Sequence, residues 1–242
     1  MNIHLSIDDV IESFLVIAEN EPDSVFDVPF FNRLRKFHYD YGAVFSIYAF
    51  AAHYGRNFHI SQVHLRYWKE IEESKFLRFG YHGSYKNMDF ANFATEFNQF
   101  CDIIPSNLIT NRLRLHRYSA TSDVISFLAK NGVTELFCRD HETQLLFPNE
   151  PSYDLSITET HSLTNYPLKK NGMIYRKTDI RLELFESKSL MLKLKNYIEC
   201  CDKQDTLVLF THEKYLLEKA MLLDEALRYL KEHKKEKVCY SN

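Results

Sequence analysis

The sequence predicts an α/β protein whose strands form a (β/α) barrel, an irregular or incomplete one with seven strands. Apolar runs of strand length alternate with helical patterns along the 242 residues, which is typical of a parallel sheet covered on both faces. No glycine-rich phosphate loop follows any of these runs, so the usual mark of an open nucleotide-binding sheet is missing. The length suits one domain, and we expect residues 1–242 to form it.

Alternating elements fill the first half of the chain. The run at 2–7 precedes a helical pattern at 9–19, in which Val10, Phe14 and Ile17 recur at helical spacing. The next predicted elements are a helix at 28–41 closed by Gly42, a strand at 43–50, a helix at 60–73, a strand at 76–81, a helix at 88–100 and a strand tip at 113–116.

The second half keeps the alternation except in one segment. A helix at 121–130, with Gly132 just past its end, leads to a strand at 133–138. Prolines and a glycine interrupt residues 139–178, which we interpret as a β-rich excursion with short pieces at 153–157 and 172–176. Then follow a strand at 179–185, a helix at 187–200, a strand at 206–211 and a terminal helix at 213–235.

Composition excludes several classes of protein. The net charge of −3 comes without a basic stripe, so we expect no nucleic-acid partner. No run of about 18 apolar residues is present, so we expect no membrane span. The first 20 residues carry acids where a secretory signal would be basic, and the five cysteines have no CxxC spacing. These features predict a cytoplasmic protein with reduced thiols.

Polar residues follow the predicted strands at the ends where a barrel places its active site. Asp8 and Asp9 end the first strand, and His212 ends the last. We expect these three to meet in one site. The other strand ends contribute His82, His116, Arg139-Asp140-His141, Asp179 with Arg181, and Glu213.

This set of side chains favours metal-assisted hydrolysis. Asp9 and His82 would hold a divalent ion, zinc or another first-row metal. Asp8 would take a proton from water, and His212 would protonate the leaving group. Simpler roles also fit the pattern, because an aspartate can cap the following helix and a histidine can serve in a turn.

The same residues resemble motifs of the polysaccharide deacetylases, carbohydrate esterase family 4. Ser6-Ile7-Asp8-Asp9 resembles the family's Thr/Ser-Phe-Asp-Asp motif, and Leu209-Phe210-Thr211-His212 resembles its late Leu-x-His motif. Phe79-Gly80-Tyr81-His82, Leu113–Tyr118 and Thr178–Arg181 fall, in order, where the metal, arginine and aspartate motifs would stand.

The resemblance implies a deacetylase-like barrel and a role for each matching residue. Asp8 is then the base, Asp9 and His82 are metal ligands, and His212 is the acid. Arg114, Asp179 and Arg181 would orient these groups, Asp179 by pairing with the arginine. The metal would be zinc, cobalt, nickel or manganese, and the substrate an acetylated carbohydrate.

One departure from the family keeps other functions open. His82-Gly83-Ser84-Tyr85-Lys86 lacks the second histidine of the family's metal motif, although His116 on the next strand could replace it. A protein that binds carbohydrate on the same fold without catalysis is therefore an alternative. A glycosidase is a third, with Asp8 or Asp9 paired with Asp140 or Glu213.

Overall fold

A computed structural model describes residues 2–83, 89–163, 166–200, 206–233 and 239–240. The strands in these ranges are β1 (Asn2–Val10), β2 (Phe45–Ala49), β3 (Ala52–His53), β4 (Phe58–His59), β5 (Leu77–Tyr81), β6 (Arg112–Leu113), β7 (Glu135–Asp140), β8 (Leu168–Lys170), β9 (Met173–Thr178), β10 (Ile180–Arg181), β11 (Thr206–His212) and β12 (Cys239–Tyr240).

Helices connect most of these strands and cover the outside of the sheet. They are α1 (Glu12–Asn20), α2 (Pro29–Tyr41), α3 (Leu65–Ser74), α4 (Phe90–Ile103), α5 (Ser122–Lys130), α6 (His141–Leu146), α7 (Ile157–His161), α8 (Ser187–Cys200), α9 (Glu213–Glu218) and α10 (Ala220–Glu232).

The parallel strands form two sheets, which one isolated bridge joins on one side and the chain between β9 and β10 joins on the other. In one direction β1 pairs with β2, which pairs with β5, and an isolated parallel bridge joins Phe79 of β5 to Ile109 just before β6. From there β6 pairs with β7 and β7 with β9, which continues into β10. Strand β10 pairs with β11, and β11 pairs with β1. These pairings are parallel, as the sequence predicts, and the arrangement is compatible with an irregular or incomplete barrel, because the chain alone links β9 to β10.

Strand β1 shows how the barrel separates its two buried faces. Ile3, Leu5 and Ile7 are buried in the hydrophobic core. The alternate side chains point inward: His4 stacks on Phe137 at 4.2 Å between ring centroids, while Ser6 and Asp8 contact Arg114. The apolar run in the sequence is therefore the outer face of the strand, and its polar residues line the barrel interior.

Aromatic side chains make up much of the packing between the sheet and the first helices. Phe14 of α1 lies 5.2 Å from Trp68 of α3 and 5.6 Å from Phe31 of α2, between ring centroids. Trp68 in turn packs edge-on against Phe79 of β5 at 5.4 Å. Each of these side chains is almost fully buried, so this cluster fixes α1, and with it the end of β1, against the barrel.

The structure corrects several predicted boundaries. Strand β1 continues through Asp8 and Asp9 to Val10, and α1 begins at Glu12 instead of residue 9, because a buried carboxylate from α9 binds the N–H groups at that corner. The strand tip at 113–116 is β6, which ends at Leu113. The terminal helix at 213–235 is two helices within the described residues, and residues 234–235 lie outside them. Residue 88 of the predicted helix at 88–100 also lies outside.

The largest differences fall in and after the excursion at 139–178. Strand β9, which we interpreted as a short piece of the excursion, is a barrel strand. The predicted piece at 153–157 is not a strand, because Ser156 caps α7. The predicted strand at 179–185 is only β10, since a 3-10 turn over Leu182–Leu184 ends it. That turn matters for the site described below.

Two absences concern the described residues alone. None of the helices in that part of the chain is both long and apolar enough to cross a bilayer. The cysteines whose side chains are described, Cys101, Cys138 and Cys200, form no disulfide.

Candidate active site

The end of β1 directs two consecutive carboxylates into the same cavity. In a regular strand neighbouring side chains point to opposite faces, so Asp8 and Asp9 should diverge. The pairing of β1 with β2 shifts register between Ile7 and Val10, and Asp9 has a left-handed backbone with φ 58°. A left-handed conformation costs a non-glycine residue about 1 kcal/mol or more, and such strain is found mainly at functional sites. The turn brings the carboxylate of Asp9 alongside that of Asp8.

Asp8 is held by a buried arginine. Its carboxylate oxygens lie 3.1 and 3.2 Å from Nη1 of Arg114, which also donates to Oγ of Ser6 at 2.8 Å. The second amino group of Arg114 donates to Oγ1 of Thr178 at 3.1 Å, and the guanidinium lies over the ring of Phe210 at 4.0 Å. Asp8 and Arg114 are each about 1% exposed, so the ion pair has little freedom to move.

The carboxylate of Asp9 contacts two imidazole rings. Its Oδ1 lies 3.0 Å from Nε2 of His82 and 3.1 Å from Nδ1 of His116. Burial alone would raise the pKa of Asp9, but the hydrogen bonds to His116 and His82 and the charges of His82 and His212 hold it well below its usual range. The carboxylate is therefore ionised at neutral pH.

Backbone contacts position these two histidines. The N–H of His116 donates to the carbonyl of His82 at 2.6 Å, and Nδ1–H of His82 donates to the carbonyl of Arg114 at 2.6 Å. His82 follows a close approach at Gly80, where a Cβ would lie 2.7 Å from the ring of Tyr48. The glycine therefore allows β5 to approach β2 and deliver His82 to the strand end.

The three groups fit a divalent metal ion. One ligand atom each from Asp9, His82 and His116 lie within 4.8 Å of one another. Because Nδ1 of His82 donates to the carbonyl of Arg114, its Nε2 is the atom that faces Oδ1 of Asp9, and a proton or a metal ion between these two atoms satisfies both. The separations of 3.0 and 3.1 Å also approach the roughly 3.3 Å between two ligands of one tetrahedral zinc ion. The carbonyl bound to Nδ1 is the usual outer partner of a metal-binding histidine.

His212 lies on the other side of Asp9 and has its own carboxylate. Its Nδ1 lies 2.5 Å from Oε1 of Glu183, and its Nε2 lies 3.8 Å from Oδ2 of Asp9. Burial lowers the pKa of His212, but the bond to Glu183 and the charges of Asp8, Glu183 and Asp9 outweigh it, so the net shift is upward. Arg181 also binds Glu183, through Nε at 2.7 Å. The imidazole is oriented with Nε2 toward Asp9.

The two carboxylates of Asp8 and Asp9 and the three imidazoles line a cavity of about 610 Å³ at the carboxyl ends of the strands. Part of its wall comes from the predicted excursion, between Arg139 and Tyr153. Arg139 is buried there and binds Glu150 at 2.8 Å. The segment therefore shapes the opening of the cavity.

The structure brings seven of the eight proposed site residues to this cavity: Asp8, Asp9, His82, Arg114, His116, Arg181 and His212. Asp179 does not line it. Its Oδ2 accepts the N–H of Val208 at 2.8 Å, and the expected pairing with Arg114 is absent, because Thr178 contacts Arg114 instead.

Sequence reasoning missed Glu183. The sequence predicts a strand at 179–185, in which residue 183 is one position among several, whereas the 3-10 turn over Leu182–Leu184 points Glu183 at His212. The signal available was local: an acid that follows a strand-end arginine. Ser84–Lys86, which the family comparison uses, lie outside the described residues.

The glycosidase alternative requires Asp140 or Glu213, but both carboxylates bind the N-terminal ends of helices. Asp140 caps α6, with its oxygens accepting from the N–H and the hydroxyl of Thr143. Glu213 accepts the N–H groups of Ile11, Glu12 and Ser13. Both side chains are buried, and neither lines the cavity of about 610 Å³.

Comparison with known proteins gives matches to solved structures alone. The chain matches no family model and no curated protein. It is similar to a protein assigned as a polysaccharide deacetylase from Mycobacterium smegmatis, with 11% identity, a TM-score of 0.59, and coverage of 99% of this chain and 86% of that one. This protein has a polysaccharide deacetylase-like fold.

Other solved structures share this deacetylase-like fold. PuuE allantoinase has 12% identity and a TM-score of 0.56, with 99% of this chain and 85% of that one covered. The 4-alpha-glucanotransferase of Thermococcus litoralis has 11% identity and a TM-score of 0.59, but this chain spans only 39% of it. Since these proteins have different names and activities, the likeness shows the fold, and function has to be argued from the site.

Proposed function

We propose that this protein is a metal-dependent hydrolase that removes acyl groups from a carbohydrate. One observation carries the proposal: the left-handed turn at Asp9 places a carboxylate against His82 and His116, while Asp8 stays beside it on Arg114. A metal site next to a separate carboxylate is what hydrolysis by an activated water requires. The deacetylase-like fold adds support, as does the zinc-like donor set.

Each side chain has a proposed role in the reaction. Asp9, His82 and His116 would hold the ion, with zinc, cobalt, nickel and manganese as candidates. A bound ion lowers the pKa of water and polarises a carbonyl. Asp8 takes a proton from the attacking water, and Arg114 keeps its carboxylate in place. The bond from the acyl carbon to the sugar oxygen or nitrogen breaks, and His212 donates a proton to that atom.

Glu183 acts through His212 as a positioning residue. Its carboxylate accepts from Nδ1–H, which leaves Nε2–H of the imidazolium directed at Asp9, where the leaving group would lie. Arg181 fixes Glu183 in turn. This pair orients the proposed acid, whereas the role expected of Asp179 was to pair with Arg114, which Thr178 contacts instead.

The test is acetate release from N- and O-acetylated oligosaccharides by protein loaded with each of the four ions. We expect activity that a chelator removes, and a fall of about a hundredfold or more in kcat for Asp8→Asn with the metal retained. Asp9→Ala should lose the metal, as judged by metal analysis. Asp224→Asn is the control, because Asp224 contacts Tyr41 on the outer surface and lies away from the cavity.

Two results would overturn the proposal. One is a protein that binds none of the four ions and releases no acetate. The other is sugar binding that survives Asp9→Ala, without release of acetate by the unsubstituted protein, since that outcome is what the non-catalytic alternative predicts.

A further inference from the structure

The proposed reaction centre lies between two cavities. The cavity of about 610 Å³ described above and a second one of about 630 Å³ are both lined by Asp9, Arg181 and His212. A bond broken beside Asp9 and His212 therefore has room on each side. We call the first cavity the polar arm and the second the apolar arm.

The polar arm suits a sugar. Beyond the site residues its wall includes Arg117, Ser119, Asn149 and Glu150, which offer hydrogen-bond donors and acceptors. Tyr118 and Tyr153 add aromatic surface in the same wall. A carbohydrate needs this combination of directional polar contacts and flat apolar faces.

The apolar arm has different chemistry. Val16 of α1, Val28 and Phe30 at the start of α2, and Tyr215 and Leu217 of α9 line it. Leu217 is 47% exposed, so apolar surface is open to water beside the reaction centre. Charged residues lie in the lining as well, among them Glu12 and Lys214, but the exposed surface is mostly carbon.

We propose that the substrate is an amphipathic acylated sugar, with a hydrocarbon acyl chain in the apolar arm and the sugar in the polar arm. This inference rests on the proposed function and specifies its substrate. An acetyl group would leave most of the apolar arm filled with water, whereas a medium-length chain would bury the surface of Val16 and Leu217. The occupant is identified by the position of the arm, which begins at the two side chains that flank the scissile bond.

The reaction stays a simple hydrolysis. Water adds its oxygen to the acyl carbon, the bond from that carbon to the sugar oxygen or nitrogen breaks, and the sugar atom gains a proton. The products are a free fatty acid, which lies in the apolar arm, and the deacylated sugar. No oxidant, reductant or second substrate is required.

The first measurement is kcat/KM for N-acetyl-, N-butanoyl- and N-octanoyl-glucosamine with the metal-loaded protein. Full burial of a methylene group corresponds to about fourfold in an equilibrium constant, and in this open arm we expect about twofold for each one added. Binding of octanoate, followed by calorimetry, is measured in parallel because it needs no turnover.

A charge placed in the apolar arm provides the second measurement. We expect Leu217→Asp to lower the octanoyl-to-acetyl ratio of kcat/KM about tenfold and to weaken octanoate binding by a similar factor. Leu192→Asp is the matched control: Leu192 is 60% exposed on α8, and it lines neither arm. Its ratio should equal that of the unsubstituted protein.

The outcomes separate this inference from the proposed function. Hydrolysis of the acetyl compound without preference for longer chains, and without octanoate binding, overturns the inference and leaves the function intact. Octanoate binding that Leu217→Asp weakens, with no hydrolysis of any compound, overturns the function and supports the apolar arm as a hydrocarbon site.

Discussion

At the scale of single residues, the site depends on carboxylates whose surroundings differ sharply. Asp9 is kept ionised by imidazoles, and Asp8 is paired with a buried arginine. Glu183 also has a lowered pKa, because its bonds to His212 and Arg181 outweigh burial. Asp179, a short distance away along the chain, shows the opposite behaviour. Carboxyl groups that look alike in the sequence therefore differ in pKa. The charges and hydrogen bonds around each group set that pKa.

Asp179 gives a prediction about stability and pH. Burial raises its pKa to about 7, although the N–H of Val208 and the charges of Lys177 and Lys193 oppose the shift. The unfolded value is about 3.9, so between about pH 4 and pH 7 the folded protein binds more protons at this site than the unfolded chain does. The free energy of unfolding therefore falls as the pH rises through that window.

We expect Asp179→Asn to remove this fall in the free energy of unfolding with rising pH. Asparagine still accepts the N–H of Val208 but cannot ionise, so the variant should be about 4 kcal/mol more stable than the original at pH 8 and equally stable at pH 4. Urea unfolding between these pH values measures the difference. Asp23→Asn on the exposed surface is the control, and equal pH slopes for all three proteins would contradict the assignment.

At the scale of elements, the corner between β1 and α1 carries the site, and it is held by a distant residue. The oxygens of Glu213 accept N–H groups from Ile11, Glu12 and Ser13 at 2.9, 3.0 and 2.7 Å. These donors open α1, and none has a partner within the helix. Ile11, at the N-cap position, makes no side-chain hydrogen bond to the helix. The carboxylate of Glu213 in α9 caps the helix instead. Glu213, which follows the proposed acid His212, thus fixes the backbone just after Asp9.

Glu213→Ala should therefore destabilise the protein by about 2 kcal/mol, since it leaves three N–H groups unsatisfied in a buried corner. Metal affinity should fall as well, because the turn at Asp9 loses its support. Thermal unfolding and metal titration measure the two effects. Glu218→Ala on the exposed part of the same helix is the control. A loss of stability with unchanged metal affinity would show that the corner does not position Asp9.

The same corner marks how far the sequence could predict the site. Apolar periodicity located β1, and the rule that barrel strands end at the active site brought Asp8, Asp9 and His212 together. Pattern alone would have sent Asp8 and Asp9 to opposite faces, because the register shift and the φ of 58° depend on packing against β2. Glu183 and Glu213 were not predictable as partners, since their contacts join segments 29 and about 200 positions apart.

Tertiary contacts also decided the elements that were predicted wrongly. The 173–178 segment has no stronger strand pattern than the rest of the excursion, but pairing with β7 makes it a barrel strand. The 179–185 segment has a suitable apolar pattern, yet a tight turn replaces most of the strand and points Glu183 inward. In both cases contacts with the neighbouring strands override the strand propensity of the segment.

At the scale of the whole molecule, the proposed metal site joins three separate parts of the barrel. Asp9 lies one residue before the end of β1, His82 follows β5, and His116 follows β6. An ion held by all three binds the folded chain and has no preformed site in the unfolded one. Its binding free energy therefore adds to the free energy of unfolding, by about 2.7 kcal/mol at a free concentration of 100 times Kd.

For a chain of this length that gain corresponds to a rise in Tm of about 5–10 °C when zinc is added to metal-free protein. His116→Ala should abolish most of the rise, because two ligands bind an ion far more weakly than three. The matched control is His53→Ala: its side chain is 28% exposed, as is that of His116, and it contacts Glu12 without lying in the ligand cluster. Differential scanning fluorimetry measures the shift.

A rise in Tm as large in His116→Ala as in the original protein would remove His116 from the ligand set. The missing second histidine after His82 would then again favour a protein without catalysis, because that histidine has no other replacement among the described residues of the cluster.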